Sequence, residues 1–291
     1  MQDQSVCAVI VTYHPSAKMV DNLSDMLDQV QGLVVVDNGS TANELRQLRV
    51  AAQGFGFHLI ENGENLGIAA ALNQGVTFAK DKGYPWVIFF DQDSGITEGF
   101  VDRMFATWKS HPDRERVCSV HPKYIDPETG IESLVRRASD GGPIISMTSG
   151  ALMPVWIFTK LGFFAADFFI DEVDTEYCFR LRAAGYLIAD SREAVLFHSC
   201  GHPRNVSLFG FKIRPSYHSA TRRYYMSRNR LVVYLRFFPA FPRWVLLFMN
   251  VSLRETAKCL IAEEYRARKL RNILLGTWDG LTRRMGRREG L

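Results

Sequence analysis

The chain has 291 residues, 47% of them apolar and 23% charged, with a formal net charge of +4. That composition excludes disordered and collagen-like classes and leaves room for one large α/β domain, with or without a helical appendage. The five cysteines, Cys7, Cys118, Cys178, Cys200 and Cys259, stand singly with no CxxC pair. This argues against a zinc site or a disulfide framework and suits a reducing cytoplasm.

Residues 1–5 lack the basic start and apolar core of a signal peptide. Residues 6–11 form a β-branched apolar run ending in Thr12-Tyr13-His14-Pro15 and predict a buried strand. Residues 16–30 place Met19, Leu23, Met26, Leu27 and Val30 on one helical face. Residues 33–36 predict a second strand, ending in Asp37-Asn38-Gly39-Ser40, and residues 41–52 a second helix. A third strand is expected at 57–60, a third helix at 68–82, and a fourth strand at 86–90 that stops at Asp91. This alternation implies right-handed crossovers and a mostly parallel sheet. Ligands bind beyond the carboxyl ends of such strands, where Thr12, Asp37, Glu61 and Asp91 all fall.

Beyond residue 110 the alternation weakens. Strands are expected at 117–125, 131–137 and 143–147, with a break at Gly141-Gly142. The aromatic stretch 161–170 leads into Asp171, Glu172, Asp174 and Glu176 and then a helix through Ala184. A short strand at 194–197 ends in His198. From about residue 217 the pattern is helical, aromatic and basic. Its most apolar part, residues 231–253, is broken by Arg236, Pro239, Pro242 and Arg243, so no membrane-spanning helix is expected.

Asp91-Gln92-Asp93 puts two carboxylates at the mouth of the sheet, suited to a hard divalent ion that fills its shell with water and phosphates; a solvated turn would use the same residues. Asp37 and Ser40 can cap the next helix, and a strand-end acid such as Asp37 can also accept hydrogen bonds from a base or ribose. The GxGxxG spacing of dinucleotide folds is absent, which argues against a nicotinamide enzyme. The basic loop that nucleotidyltransferases carry after the first strand is missing too.

Taken in order, Val11-Thr12-Tyr13, Val35-Val36-Asp37-Asn38-Gly39-Ser40, Asn62-Gly63-Glu64-Asn65-Leu66-Gly67 with Asn73-Gln74-Gly75, Asp91-Gln92-Asp93, Ser149-Gly150-Ala151 and the block from Phe168 to Arg182 resemble the family 2 inverting glycosyltransferases. Within that family the likeness is greatest to bacterial rhamnosyltransferases of surface-polysaccharide assembly. It runs from about residue 6 to residue 201.

The resemblance implies an α/β fold of GT-A type over residues 1–205, with residues 206–291 a helical, basic and aromatic extension. It implies a donor nucleotide near Thr12, Tyr13, Asp37, Asn38, Asn65, Gly67, Asn73 and Asp91, with Arg228 and Asn229 bordering its diphosphate. It also implies a divalent metal, Mg²⁺ or Mn²⁺, on Asp93 and His198. Asp174 is the implied base that deprotonates the acceptor, with Asp171 and Glu172 as rivals because the family's usual Glu-Asp is Val173-Asp174 here.

The implied donor is a nucleotide sugar, dTDP-rhamnose, although nothing in the residues separates rhamnose from another deoxysugar or thymidine from uridine. The implied acceptor is a saccharide or lipid-linked saccharide. The basic-aromatic run Phe237, Phe238, Phe241, Trp244, Leu246, Leu247 and Phe248 with Arg236 and Arg243 suits peripheral contact with the cytoplasmic face of an inner membrane. The same helices could instead pack on the catalytic domain or on a second copy, giving a homodimer. With a modest net charge and its basic residues at one end, the chain is not expected to bind nucleic acid, and a nucleic-acid or membrane-surface binding protein is the alternative to an enzyme.

Overall fold

The computed structural model describes residues 4–16, 18–198, 206–208, 211–213 and 215–291; Cys200 and the expected domain division after residue 205 lie outside them. The chain forms two compact units, Met1–Ala166 with Tyr177–Ser199, and Asp167–Glu176 with Cys200–Leu291.

The first unit opens with three strand-helix repeats: β1 (Val6–Thr12), α1 (Lys18–Leu27), β2 (Gly32–Asp37), α2 (Ala42–Phe55), β3 (His58–Glu61), α3 (Ile68–Asp81) and then β4 (Trp86–Asp91). All seven residues of β1 are buried, which is why its sequence is an unbroken apolar run rather than an alternation. Thr41 and Glu44 start α2 with a reciprocal capping box, and Gly56 ends it in the left-handed region, as the helix signals require. Parallel registers set Thr12 opposite Asp37, Asp37 opposite Glu61, and Val11 opposite Asp91. The four strand ends therefore meet along one edge.

The unit continues through β5 (Gly95–Ile96), α4 (Phe100–Ser110), β6 (Val117–Ile125), β7 (Leu152–Pro154), α5 (Trp156–Leu161), α6 (Val173–Ala183), whose first turn belongs to the second unit, and β8 (Leu187–Phe197). The eight strands form one sheet in the order β3-β2-β1-β4-β7-β6-β8-β5. β6 and β8 are parallel, while the short β7 and β5 join antiparallel.

Three expectations from the sequence need correction here. Residues 131–137 and 143–147 are not strands; their ladder pairing is limited to the isolated bridges Ile125 to Glu132 and Arg137 to Pro143. Ile131 and Leu134 are 61% and 86% exposed, so their apolar alternation faces water. Ion pairs Arg137–Asp190 and Arg182–Asp140, both at 2.7 Å, pin the segment instead. The last strand begins at Leu187 rather than 194: the polar run Asp190 to Glu193 interrupts the hydrophobic pattern where the register with β6 shifts, and the strand continues through it, pairing again from Val195.

In the second unit, β9 (Val206–Leu208) and β10 (Phe211–Ile213) form an antiparallel pair, followed by α7 (Ala220–Phe237), α8 (Pro242–Ala262) and α9 (Arg266–Leu281). Ser219 caps α7 by accepting the Arg222 N–H at 3.1 Å. A Cβ at Gly276 would lie 2.3 Å from the Tyr224 carbonyl oxygen, so α9 packs directly on the α7 backbone. Glu263, buried, accepts from both Arg223 and Lys269 at 2.7 Å. Two cations on one carboxylate offset the cost of removing it from water. Among the described residues no helix is long and apolar enough to cross a membrane.

Candidate active site

The strand order reverses between β1 and β4, and in open α/β sheets the ligand crevice forms at such a point. Here Gln92 Oε1 accepts the Tyr13 N–H at 2.9 Å and Gln92 Nε2 donates to the Tyr13 carbonyl at 3.3 Å. Beside this bridge, buried Thr12 donates to Asp37 at 3.1 Å. Asp37 also accepts from the Gly39 and Ser40 amides at 3.1 and 2.9 Å and from the Ser40 hydroxyl. The Tyr13 ring remains 47% exposed.

Asn38 ties this turn to the loop after β3. Its amide donates to Asn65 Oδ1 at 3.1 Å, and its Oδ1 accepts from Asn62 and from the Leu66 N–H at 3.2 and 3.0 Å. Asn65 Oδ1 in turn accepts the Gly67 N–H at 2.9 Å. Gly39, at φ 98°, makes the approach feasible: a Cβ there would sit 2.6 Å from the Glu64 carbonyl carbon. The structure thus joins Thr12, Asp37, Asn38, Asn65 and Gly67 into one network. Asn73 lies elsewhere on α3, exchanging two 2.9 Å hydrogen bonds with the Phe164 backbone.

Asp91 closes β4, and its N–H donates to Ser94 and Ser149 hydroxyls, both at 3.2 Å. The chain then turns so that Gly95 and Ile96 pair with Phe197 and Leu196 of β8. That pairing returns His198 to the acids: ligand atoms of Asp91, Asp93 and His198 all lie within 4.8 Å of one another. His198 Nδ1 is buried with no hydrogen-bond partner and stands 3.7 Å from Asp91 Oδ2. Burial pushes the Asp91 carboxyl up; nearby His198 opposes this and Asp93 reinforces it. Two carboxylates and an orphaned imidazole nitrogen fit a divalent cation, whose own ligands stand about 3–4.4 Å apart. Asp91 joins Asp93 and His198 in this set, a grouping the tripeptide alone could not reveal.

In the second unit, residues 167–176 carry five acids, Asp167, Asp171, Glu172, Asp174 and Glu176. Arg222 binds Asp171 at 2.9 Å, Arg230 binds Glu172 at 2.7 Å and Arg236 binds Glu176 at 2.8 Å. Asp174 has no such cation among the described residues and accepts only from Thr175, at 2.7 Å from its N–H. Burial, then the Glu172 charge, pushes its carboxyl up to about 7, with Asp171 adding to the rise and the Thr175 N–H opposing it. The arginines that neutralise the rivals, Arg222 and Arg230, sit eight residues apart on α7, a pattern visible only once the loop they face is known.

Arg228 and Asn229 are both fully buried. Arg228 donates to the carbonyls of Gly286, Phe168 and Asp167 at 2.6, 2.9 and 3.2 Å. The Asn229 amide donates to those of Ile170, Phe168 and Asp171 at 2.8, 2.9 and 3.0 Å. A diphosphate contact, as the sequence implied, would require these donors to leave their carbonyls. The loop they hold includes Phe169, Asp171 and Glu172 in the left-handed region, which non-glycine residues adopt only when their surroundings enforce it. Of the aromatic patch, Phe164 and Phe168 are buried; Phe164 packs 4.7 Å from Tyr177 and 5.3 Å from Phe158, ring centre to ring centre.

A sheet with this order, with the Asp91, Asp93 and His198 cluster beyond its strand ends, has the GT-A fold. Residues 7–170, more than half of the chain, match the family model described as Glycosyl transferase family 2, and the chain belongs to that family. It is similar over nearly its whole length to the dTDP-rhamnosyl transferase RfbF of Shigella flexneri, at 27% identity across 96% of each chain. Among solved structures it resembles the mannosyltransferase PcManGT from Pyrobaculum calidifontis in complex with GDP-Man and Mn²⁺, with a TM-score of 0.63, 16% identity, and 95% of this chain and 86% of that one covered. It also resembles S. aureus TarS 1-349, with a TM-score of 0.57, 11% identity, and 95% and 71% covered.

Proposed function

We propose that this glycosyltransferase moves L-rhamnose from dTDP-rhamnose to a hydroxyl of a saccharide acceptor, free or lipid-linked, with inversion, in the assembly of a cell-surface polysaccharide. Similarity to a dTDP-rhamnosyl transferase over 96% of both chains supports the donor. The observation that carries the reading is the convergence of Asp91, Asp93 and the unpartnered His198 Nδ1 beyond the sheet.

In this reading Asp91, Asp93 and His198 would hold a divalent cation, which when bound would supply positive charge to offset that of the departing diphosphate. The Thr12, Asp37, Asn38, Asn65 and Gly67 network shapes the nucleotide pocket, and the exposed Tyr13 ring stacks on the base. The acceptor oxygen attacks the anomeric carbon as the bond to the diphosphate oxygen breaks, and dTDP leaves with the electron pair. Asp174 takes the acceptor's proton; a carboxylate with a pKa near neutrality is suited to that task. Asn73, Arg228 and Asn229 act by holding backbone. Residues 1–205 supply donor binding and residues 206–291 the helical extension, which also organises the acid loop.

The test is nucleotide release from dTDP-rhamnose, UDP-sugars and GDP-mannose in Mn²⁺ or Mg²⁺. Release from dTDP-rhamnose that vanishes in Asp93→Ala is expected. Turnover of a uridine or guanosine sugar in its place would overturn the donor while leaving the enzyme class intact.

A further inference from the structure

Helix α8 is 21 residues long, yet only Val245 and Cys259 of it are buried. Leu246, Met249, Leu253 and Ile261 are exposed, by 55, 39, 68 and 46%. At about 100° per residue they fall within an arc of roughly 120°, so they form one apolar stripe. Helix α9 repeats the arrangement: Leu270, Leu274, Trp278 and Leu281 are exposed by 40, 61, 58 and 56% and share an arc of about 80°. Exposed apolar surface repeated on two helices marks an interaction face rather than scattered surface residues.

Charge identifies the occupant. Residues 206–291 contain 18 Lys and Arg against 5 Asp and Glu. Arg243 and Arg254 flank the α8 stripe and Arg271 the α9 stripe; all three are exposed and, among the described residues, none is paired with an acid. A second copy seated on α8 would bring a further set of unpaired arginines to a face that offers few acids to meet them, which disfavours association. An anionic lipid leaflet takes both features at once. Its acyl boundary receives the leucines, and its headgroups receive guanidinium groups at the end of long, bendable stems.

The geometry points to α8, carrying its exposed apolar stripe and unpaired arginines, as a docking surface for an anionic bilayer, bound at the interface and not crossing it. The sequence run around Phe237 to Phe248 only partly coincides with it: Phe237 is buried, and the exposed stripe extends much further, to Ile261. Lipid contact does not depend on which sugar is transferred.

The experiment is sedimentation of the full chain with vesicles of phosphatidylglycerol mixed into phosphatidylcholine, against pure phosphatidylcholine. Binding to the anionic vesicles alone, weakened by salt, is expected. Arg243→Gln with Arg254→Gln should weaken it by about 25-fold, roughly fivefold per charge, and Leu246→Glu with Leu253→Glu should abolish it. Both pairs are exposed, so melting and nucleotide binding should be unchanged. In the wild type, brominated acyl chains should quench part of the tryptophan fluorescence, to which Trp244 on α8 contributes, a readout needing no variant. Absence of binding to anionic vesicles, binding that neither variant pair weakens, or a wild-type dimer that Leu253→Glu makes monomeric would overturn the assignment.

Discussion

Gln92 and Tyr13 brace one another across the point where the sheet order reverses, by hydrogen bonds of 2.9 and 3.3 Å. Gln92 and Asp93 form the turn just past β4, so committing Gln92 to Tyr13 fixes that turn with Asp91 and Asp93 on either side of Gln92 and close to His198. Gln92→Ala should therefore keep the fold and weaken Mn²⁺ binding by about 10-fold or more, as loss of a group that orients metal ligands does. Calorimetric titration of Mn²⁺ in the presence of dTDP measures this, and an unchanged affinity would show that the acids need no brace.

The same three ligands predict a metal preference. An imidazole nitrogen suits Mn²⁺ better than Mg²⁺, which favours oxygen throughout its shell. Wild type should be more active with Mn²⁺, chelation should abolish activity, and His198→Asp should move the preference toward Mg²⁺. Activity of the two enzymes in each metal, at matched dTDP-rhamnose, checks the shift; equal ratios in both would remove His198 from the set.

Asp174, with its carboxyl pushed up to about 7, predicts opposite effects on rate and stability. The base must be ionised, so kcat/KM should rise about tenfold per pH unit below 7 and level off above it. For stability, the native state holds this proton more tightly than the unfolded chain does. The contribution is fully present below about pH 4 and is lost as pH rises through about 7. Asp174→Asn should lower the rate by about 10²–10⁴ yet raise Tm relative to wild type at pH 8. A variant that stays active with a wild-type pH profile would assign the base elsewhere.

The parallel half of the sheet was legible because β1, β2 and β4 are buried on both faces and their sequences are unbroken apolar runs, and each ends in an acid or a hydroxyl that register then aligns. The middle of the chain was not. Leu134, 86% exposed, carries the same local signal as a strand residue, while β7 and β5 are only three and two residues long and leave no periodicity to read. Asp91 could be placed at the strand end from sequence, but its partnership with His198 depends on the Gly95–Phe197 pairing, a contact between residues a hundred positions apart. Arg228 and Asn229 drew attention in the sequence as a diphosphate contact; that their donors go to carbonyls instead is set by the loop they meet.

Gly39 offers a stability prediction that also reads on the donor pocket. At φ 98°, with a Cβ that would meet the Glu64 carbonyl carbon at 2.6 Å, Gly39→Ala must either strain the turn or push the 62–67 loop away. A loss of about 1–3 kcal/mol is expected from the backbone conformation. Separation of Asn38 from Asn65 should raise the Kd for dTDP as well. Urea unfolding and nucleotide titration together check this, and a variant stable as wild type would mean the loops are not held so closely.

Asn229 separates two roles for the α7 Arg-Asn pair. Its amide serves three carbonyls of a loop that keeps three non-glycine residues left-handed. Asn229→Ala would leave those buried carbonyls without their donor, at about 1–3 kcal/mol for the groups exposed to that loss. If the pair touched the donor diphosphate, the variant would bind dTDP poorly. If it positions the loop that leads into α6 and Asp174, dTDP affinity should stay within about twofold while kcat falls, because a displaced base costs rate without costing ground-state binding. Titration of dTDP and steady-state kinetics on the same preparation distinguish the two, and a raised Kd with unchanged kcat would restore the direct contact.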